Sequence, residues 1–162
     1  MRDFKTYGIL PEKGRGYENI IYVLAMIYGM LEREIAAYFQ KYNFTAPKFN
    51  ILMVLAFQND GAGMNQVDIG RHLITTPGNV TKLVESLYLD KFLTRVQNQD
   101  NRRENIIKIT PKGRAFVEKL WPDYDTLLKN RTDLMPAAAR GKTAAALKNW
   151  FFSLESVYGG GK

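Results

Sequence analysis

Residues 64–92, MNQVDIGRHLITTPGNVTKLVESLYLDKF, constrain the fold more than any other stretch, because they hold two helix starts in close succession. Thr76 followed by Pro77 sets an N-cap residue before a proline at the first helical position, where the missing N–H is not needed. Val80, Leu83, Val84 and Leu87 then recur at the spacing of one helix face, so a helix is expected over about residues 77–90. Upstream, Asn65 with Asp68 three residues later approximates a capping box and opens a short helix over about residues 66–73. Thr75 and Thr76, or a few residues more, are all that separate the two. Two short helices across so tight a turn form the helix-turn-helix pattern.

Two apolar, alternating runs follow at residues 93–96 and 106–109, around QNQDNRREN, a connection with no apolar residue. Alternation of this kind marks half-buried strands, so a hairpin is expected. Its connection is long, and long loops in compact domains tend to be functional or disordered. The cluster of Asp100, Arg102, Arg103 and Glu104 leaves three readings open at this point. It is a catalytic group, a turn kept soluble by charge, or a contact with a negatively charged partner.

The flanks are helical. Residues 1–16 hold Pro11 and three glycines without steady periodicity and read as an extended arm. A first helix is expected over 17–41, with Ile20, Leu24, Ile27, Leu31, Ile35 and Tyr38 on one stripe and Val23, Met26 and Met30 beside it. A helix apolar over so much of its girth has to be covered on more than one side, and a partner subunit is one way to do so. Thr45 is a candidate cap and Pro47 a first-turn residue for a second helix over 46–58, stopped by Asn-Asp-Gly. After the hairpin, Thr110 and Pro111 repeat the cap-then-proline start. That helix reaches about residue 129, with Phe116, Leu120, Tyr124 and Leu127 on one face and a kink expected at Pro122. A last helix over 137–158 carries Leu147, Trp150, Phe151, Leu154 and Val157, and GGGK reads as a flexible tail.

The bulk numbers remove several function classes. The 162 residues suit one domain with a real core. With no cysteine and a single histidine, His72, thiol chemistry is absent and a metal site has little to use. There is no Gly-rich phosphate loop, no nucleophile beside a base and no pair of acids set for catalysis, so an enzyme is not expected. The most apolar run, residues 20–31, is twelve residues long where a membrane span needs roughly 20. No signal-like segment opens the chain, and the expectation is a cytoplasmic protein. Of the net charge of +7, most of the excess lies between residues 64 and 115, with nine Lys or Arg against five acids. A polyanion would be engaged there.

The order of helix, helix, short helix, tight turn, helix, polar-tipped hairpin and long helix resembles that of MarR-type transcriptional regulators. MNQVDIGRHLITTPGNVTKLVESLYLDKFLTRVQNQDNRRENIIKITPKG is similar to that family's DNA-binding segment, through to a Leu-Thr-x-x-Gly close that reads here as Ile109, Thr110 and Gly113. The resemblance covers nearly the whole chain as one MarR-like domain. It implies a mainly α fold with a small β-hairpin wing, a winged helix-turn-helix joined to a helical dimerisation region. Residues 1–44 would be the arm and first dimerisation helix, 45–113 the DNA-binding region, and 114–158 the C-terminal dimerisation helices.

The resemblance also implies a homodimer that binds a pseudo-palindromic operator in double-stranded DNA, a ligand-responsive repressor without a cofactor. Its effector would be a small aromatic or phenolic acid held between the two regions. A different reading is a winged-helix module used for protein contact. Two departures bear on the site. Asp100 and Arg102 match the family's Asp-x-Arg wing motif but lie one residue further than usual from Thr110, and counting back from Thr110 selects Asn101 and Arg103 instead. Phe92 stands where the family commonly has glycine.

The helix from Pro77 presents Thr76, Asn79, Thr81 and Lys82, with Thr75 just before its cap and Gly78 in its first turn, as polar or small groups away from its core side. Such a face is what a recognition helix needs in a major groove, and its N-terminus suits a phosphate. Gln66 is placed to reach phosphate, and His72 to pack or to face it. At the hairpin tip Asp100, Asn101, Arg102 and Arg103 are candidates, with an arginine reading minor-groove width.

Overall fold

The structure is a computed structural model that describes residues 16–58, 61–73, 77–99, 101 and 104–158. The elements run α1 (Gly16–Gln40), α2 (Ala46–Phe57), α3 (Gln66–Arg71), α4 (Pro77–Leu89), β1 (Leu93–Gln97), β2 (Asn105–Ile109), α5 (Pro111–Thr132) and α6 (Ala137–Tyr158). Each expected helix and strand is present, with ends shifted by up to a few residues, while the expected extended arm before α1 and the GGGK tail lie outside the described residues. Two compact units divide the chain, Met1–Val117 and Glu118–Lys162.

The core of the first unit draws on apolar residues anticipated for α2, α3 and α4 and, from α1, on Phe39, which lies outside the expected stripe. Phe39 of α1, Phe49, Ile51, Leu52 and Leu55 of α2, Ile69 of α3, and Val80, Val84 and Leu87 of α4 are buried with Leu93 and Ile107 of the hairpin. Phe39 and Phe49 stack with centroids 4.8 Å apart. Along α1 only Tyr38 and Phe39 are buried, whereas Ile20, Leu24 and Ile27 are 58, 39 and 48% exposed. The N-terminal part of α1 therefore presents an apolar stripe that is exposed among the described residues.

Local chemistry sets the joints. Asn65 caps α3 by accepting from the Asp68 N–H at 2.8 Å, but the Asp68 carboxylate turns to Arg71 at 2.7 Å instead of closing a reciprocal box. Thr45 stands at the N-cap of α2 without a side-chain cap hydrogen bond, and Pro lies in that first turn. Both α1 and α4 end on a left-handed residue that is not glycine, Asn43 (φ 52°) and Lys91 (φ 62°). At each end the next residue's N–H reaches back five positions, Phe44 to the Phe39 carbonyl and Phe92 to that of Leu87, the Schellman closure. The left-handed role before the hairpin thus falls to Lys91, and Phe92 keeps a negative φ.

The strands pair antiparallel from Leu93↔Ile109 to Gln97↔Asn105. QNQDNRREN is therefore shorter as a loop than it looks, because its first and last residues form the final rung. Asn98 then donates to the Glu104 carbonyl at 3.0 Å and narrows the tip further. Met64 adds a bridge to Ile107, with N–H···O distances of 3.1 and 2.9 Å, that the sequence did not signal. Gly63 (φ 84°) permits it, since a Cβ there would meet the Ile107 carbonyl oxygen at 2.5 Å.

Thr110 does three jobs where the hairpin enters α5. Its hydroxyl accepts from the Gly113 N–H at 3.1 Å, lies 2.9 and 3.1 Å from the carbonyl oxygens of Lys91 and Phe92, and its own N–H donates to Phe92 at 3.0 Å. Helix α5 then runs uninterrupted through Pro122 to Thr132.

In the second unit, Asp133 joins the end of α5 to the start of α6. It accepts from Lys129 at 2.5 Å and from Arg140 at 2.6 Å, while Arg140 also donates to the Met135 carbonyl at 3.0 Å. The Lys129 hydrogen bond, with the charges of Lys129 and Arg140, holds the Asp133 carboxyl below its ordinary range. Helix α6 buries none of its residues, and Phe151 and Leu154 are 54 and 40% exposed.

Candidate nucleic-acid interface

Helix α4 turns Val80, Val84 and Leu87 into the core, which leaves Gly78, Asn79, Thr81, Lys82 and Glu85 on exposed positions. A Cβ at residue 78 would meet nothing within 4 Å, so the first turn offers an open backbone to an approaching surface. Helix α3 buttresses this face. Gln66 donates through Nε2 to the Thr81 hydroxyl at 2.6 Å, tying the first turn of α3 to the first turns of α4. Gln66 is thus half-buried and bonded rather than reaching outward. His72 is exposed at the end of α3.

The hairpin stands beside α4 and is locked to it by a residue absent from the sequence-level candidates. Arg95 of β1 pairs with Glu85 of α4 at 2.5 Å and lies over the Tyr88 ring with its guanidinium carbon 4.6 Å from the centroid. Strand alternation puts Arg95 on the same face as Leu93, at an exposed position beside α4. An arginine two residues after the buried Leu93, on the same strand face, was the available signal.

Of the candidates read from sequence, Gln66, Gly78, Asn79, Thr81 and Lys82 come together on the α3–α4 pair. Asn101 is exposed at the hairpin tip, where its carbonyl accepts from Glu104 at 2.9 Å. Thr75, Thr76, Asp100, Arg102 and Arg103 lie outside the described residues. Among the described residues no group of three or more side chains could hold a metal, and no helix is long and apolar enough to cross a membrane.

An open cavity of about 500 Å³ lies in the first unit below the α4–β1 turn. Its floor is a cluster of Phe44, Phe92 and Phe116, with centroids 4.7–5.5 Å apart, and Tyr42, Lys91 and Lys112 stand around it.

The architecture has many counterparts among solved structures. The Staphylococcus aureus MepR–DNA complex superposes with a TM-score of 0.73 and 22% identity, over 82% of this chain and 96% of that one. A putative MarR-like transcription regulator from Bacillus cereus gives 0.75 and 18%, over 87% and 99%. The chain has the MarR fold. Apo MarR of E. coli agrees less closely, with a TM-score of 0.65 at 20% identity over 87% of this chain and 98% of that one.

Sequence relatives match over shorter shares of the chain. The chain is 25% identical over 127 residues to the HTH-type transcriptional regulator TtmR of Methylorubrum extorquens, over 78% of this chain and 56% of that protein. It is 26% identical over 87 residues to the HTH-type transcriptional repressor YetL of Bacillus subtilis, over 54% and 52%. A third match, to the uncharacterised HTH-type regulator YkoM of B. subtilis, is 33% identical over 54 residues and covers 35% of that protein. The chain thus spans between a third and just over half of these curated relatives. No family model matches it.

Within the MarR fold, α3 and α4 occupy the helix-turn-helix positions, and β1 and β2 form the wing.

Proposed function

We propose that this protein is a sequence-specific, double-stranded DNA-binding transcriptional regulator that works as a homodimer. The observation that carries the reading is the exposed Gly78–Asn79–Thr81–Lys82 face of α4, buttressed by Gln66 and flanked by the wing. Its dimensions and chemistry suit a major groove, where Asn79 and Thr81 meet base edges and Lys82 meets phosphate. Thr75 and Thr76 extend that face to the helix start. Arg102 or Arg103 enters the minor groove, with Asp100 and Asn101 shaping the tip. The basic excess of the segment supplies attraction to the phosphate backbone. A solved complex of the similarly folded MepR contains DNA, which supports the same use here.

The apolar stripe of α1 and the exposed apolar groups of α6 form the dimer contact, in a dimerisation region made from residues 1–44 and 114–158. Two copies of α4 then reach successive major grooves of a pseudo-palindromic operator in the cytoplasm. The protein acts as a repressor, released by a small aromatic or phenolic effector that shifts the spacing of the two recognition helices. Such coupling is typically ~1–3 kcal/mol. Mass spectrometry of the natively purified protein would reveal a retained effector.

Selection of duplexes from a random pool tests the DNA reading. Enrichment of a two-fold symmetric sequence is expected, and single alanine variants at Arg102 and Arg103 should differ in preference at the flanks. A pool that stays random after repeated rounds would instead favour a winged-helix module devoted to protein contact.

A further inference from the structure

The exposed positions Thr81, Glu85 and Tyr88 follow one another along α4 at intervals of four and three residues, so they form one flank of the helix between its core side and its outermost line. Both ends of this flank are gripped from outside the helix. At the N-terminal end Gln66 of α3 donates to the Thr81 hydroxyl at 2.6 Å. At the C-terminal end Arg95 of β1 pairs with the Glu85 carboxylate and covers the Tyr88 ring at 4.6 Å. The two grips come from two different elements and act on the same side of the cylinder.

We propose that Gln66 and Arg95 are positioning residues that fix the roll of α4 about its own axis, and with it the base edges its outer face can meet. The inference rests on the DNA-binding reading. Hydrophobic contacts along Val80, Val84 and Leu87 hold α4 against the core, but apolar packing has no directionality and tolerates a small rotation. Hydrogen bonds and ion pairs are directional, and a guanidinium stacked on a ring and paired with a carboxylate is constrained in plane as well as position. A bidentate base contact requires that precision.

The placement of Arg95 argues against a simple phosphate contact. Its side chain shares the Leu93 face of β1, turned to α4 with 32% of it exposed, and its charge is matched by Glu85. Pairing also neutralises an acid on the recognition helix that would otherwise repel the phosphate backbone. Because Arg95 belongs to the wing strand, the same contact makes the wing and the recognition helix move as one body.

The test compares R95Q, R95K and Q66L with the wild type. Each is titrated against the duplex that the wild type selects from a random pool and against a scrambled duplex, over a range of salt. Positioning predicts that binding to the selected duplex weakens by about five- to tenfold, while scrambled-duplex binding and its salt slope stay unchanged in R95K, Q66L and the double variant R95Q/E85Q, which all keep the wild-type net charge. R95K should resemble R95Q, since lysine keeps the charge but not the planar stack. E85Q combined with R95Q should be no worse than R95Q alone.

Weaker binding to both duplexes, with a salt slope lower by about one and rescue by R95K, would make Arg95 a phosphate contact and overturn the proposal. Unchanged binding to both would overturn it as well. Circular-dichroism melts of each variant keep loss of fold apart from loss of roll, and E85Q supplies a second break of the same grip from the helix side. If the wild type selects no duplex at all, the DNA-binding reading fails first, before any variant is compared.

Discussion

The carbonyl oxygen of Phe92 lies 2.5 Å from the point where a Cβ on Gly113 would stand. The wing's base and the first turn of α5 meet there with backbone against backbone, and Ile109 Cγ1 closes the remaining space at 2.7 Å. The same Phe92 carbonyl accepts from the Thr110 N–H, so the chain cannot move apart without losing that bond. Gly113→Ala should cost about 2 kcal/mol, the range for overpacking at a rigid contact. Thermal unfolding is the check. A melting temperature equal to that of the wild type would mean that the joint is soft.

Lys91 and Asn43 hold left-handed backbone that glycine adopts without penalty. At position 91, glycine relieves the strain but adds freedom to the unfolded chain, and the two effects nearly offset. A β-branched residue gains nothing. Lys91→Val should therefore be less stable than Lys91→Gly by more than about 1 kcal/mol, measured by urea unfolding of both. Equal midpoints would show that the turn relaxes to another geometry.

These two sites illustrate what the sequence could convey. The cap-then-proline starts at Pro77 and Pro111, the core spacing of Val80, Val84 and Leu87, and the strand alternation are local signals, and they located every element. The close of the hairpin at Thr110 and Gly113 was legible as a pattern, but its cause is a tertiary contact with Phe92. Phe92 stands where the family commonly has glycine, yet the left-handed residue of that turn is Lys91, because the Schellman bonds are set by where α4 stops. The Arg95–Glu85–Tyr88 contact joins residues on two elements, and the Met64–Ile107 bridge joins segments more than forty residues apart. No local pattern marks such pairings. Thr45 was read as a cap from its residue type alone, and its hydroxyl makes no cap bond.

Ile27 is 48% exposed on the apolar stripe of α1. If that stripe is a subunit contact, Ile27→Glu places an unpaired charge in it, a substitution that strongly opposes association. Sedimentation equilibrium should find the wild type as a dimer and the variant as a monomer. A variant that sediments as the wild type does would move the contact elsewhere.

Asp133 provides a pH test of the α5–α6 turn. Its folded carboxyl is held below the ordinary range, first by the Lys129 hydrogen bond and then by the charges of Lys129 and Arg140. A depressed folded value means that the contribution is present above the unfolded value and disappears as pH falls through the folded one. Carbon-detected NMR should find Asp133 titrating at lower pH in the protein than in a peptide spanning the same turn, with the turn's amide protection lost below that pH. A midpoint at or above the peptide's would remove the interaction from solution.

The recognition face makes separate demands on Lys82 and Asn79. Lys82→Ala should weaken binding to any duplex and lower the salt slope by about one, the signature of a single phosphate contact. Asn79→Ala should change which base pairs are preferred, at about 1–3 kcal/mol per contacted position. Parallel titrations over a salt series, with duplexes varied one base pair at a time, separate the two roles. An unchanged slope for Lys82→Ala would take it off the phosphate list.

The central claim is sequence-specific binding to duplex DNA, and fluorescence anisotropy at physiological salt tests it most directly. The wild-type protein is titrated against the duplex upstream of its own coding region and against a scrambled duplex of the same length and composition. Specific binding predicts an affinity for the upstream duplex at least about a thousandfold tighter than for the scrambled one. Equal affinities for the two would contradict it.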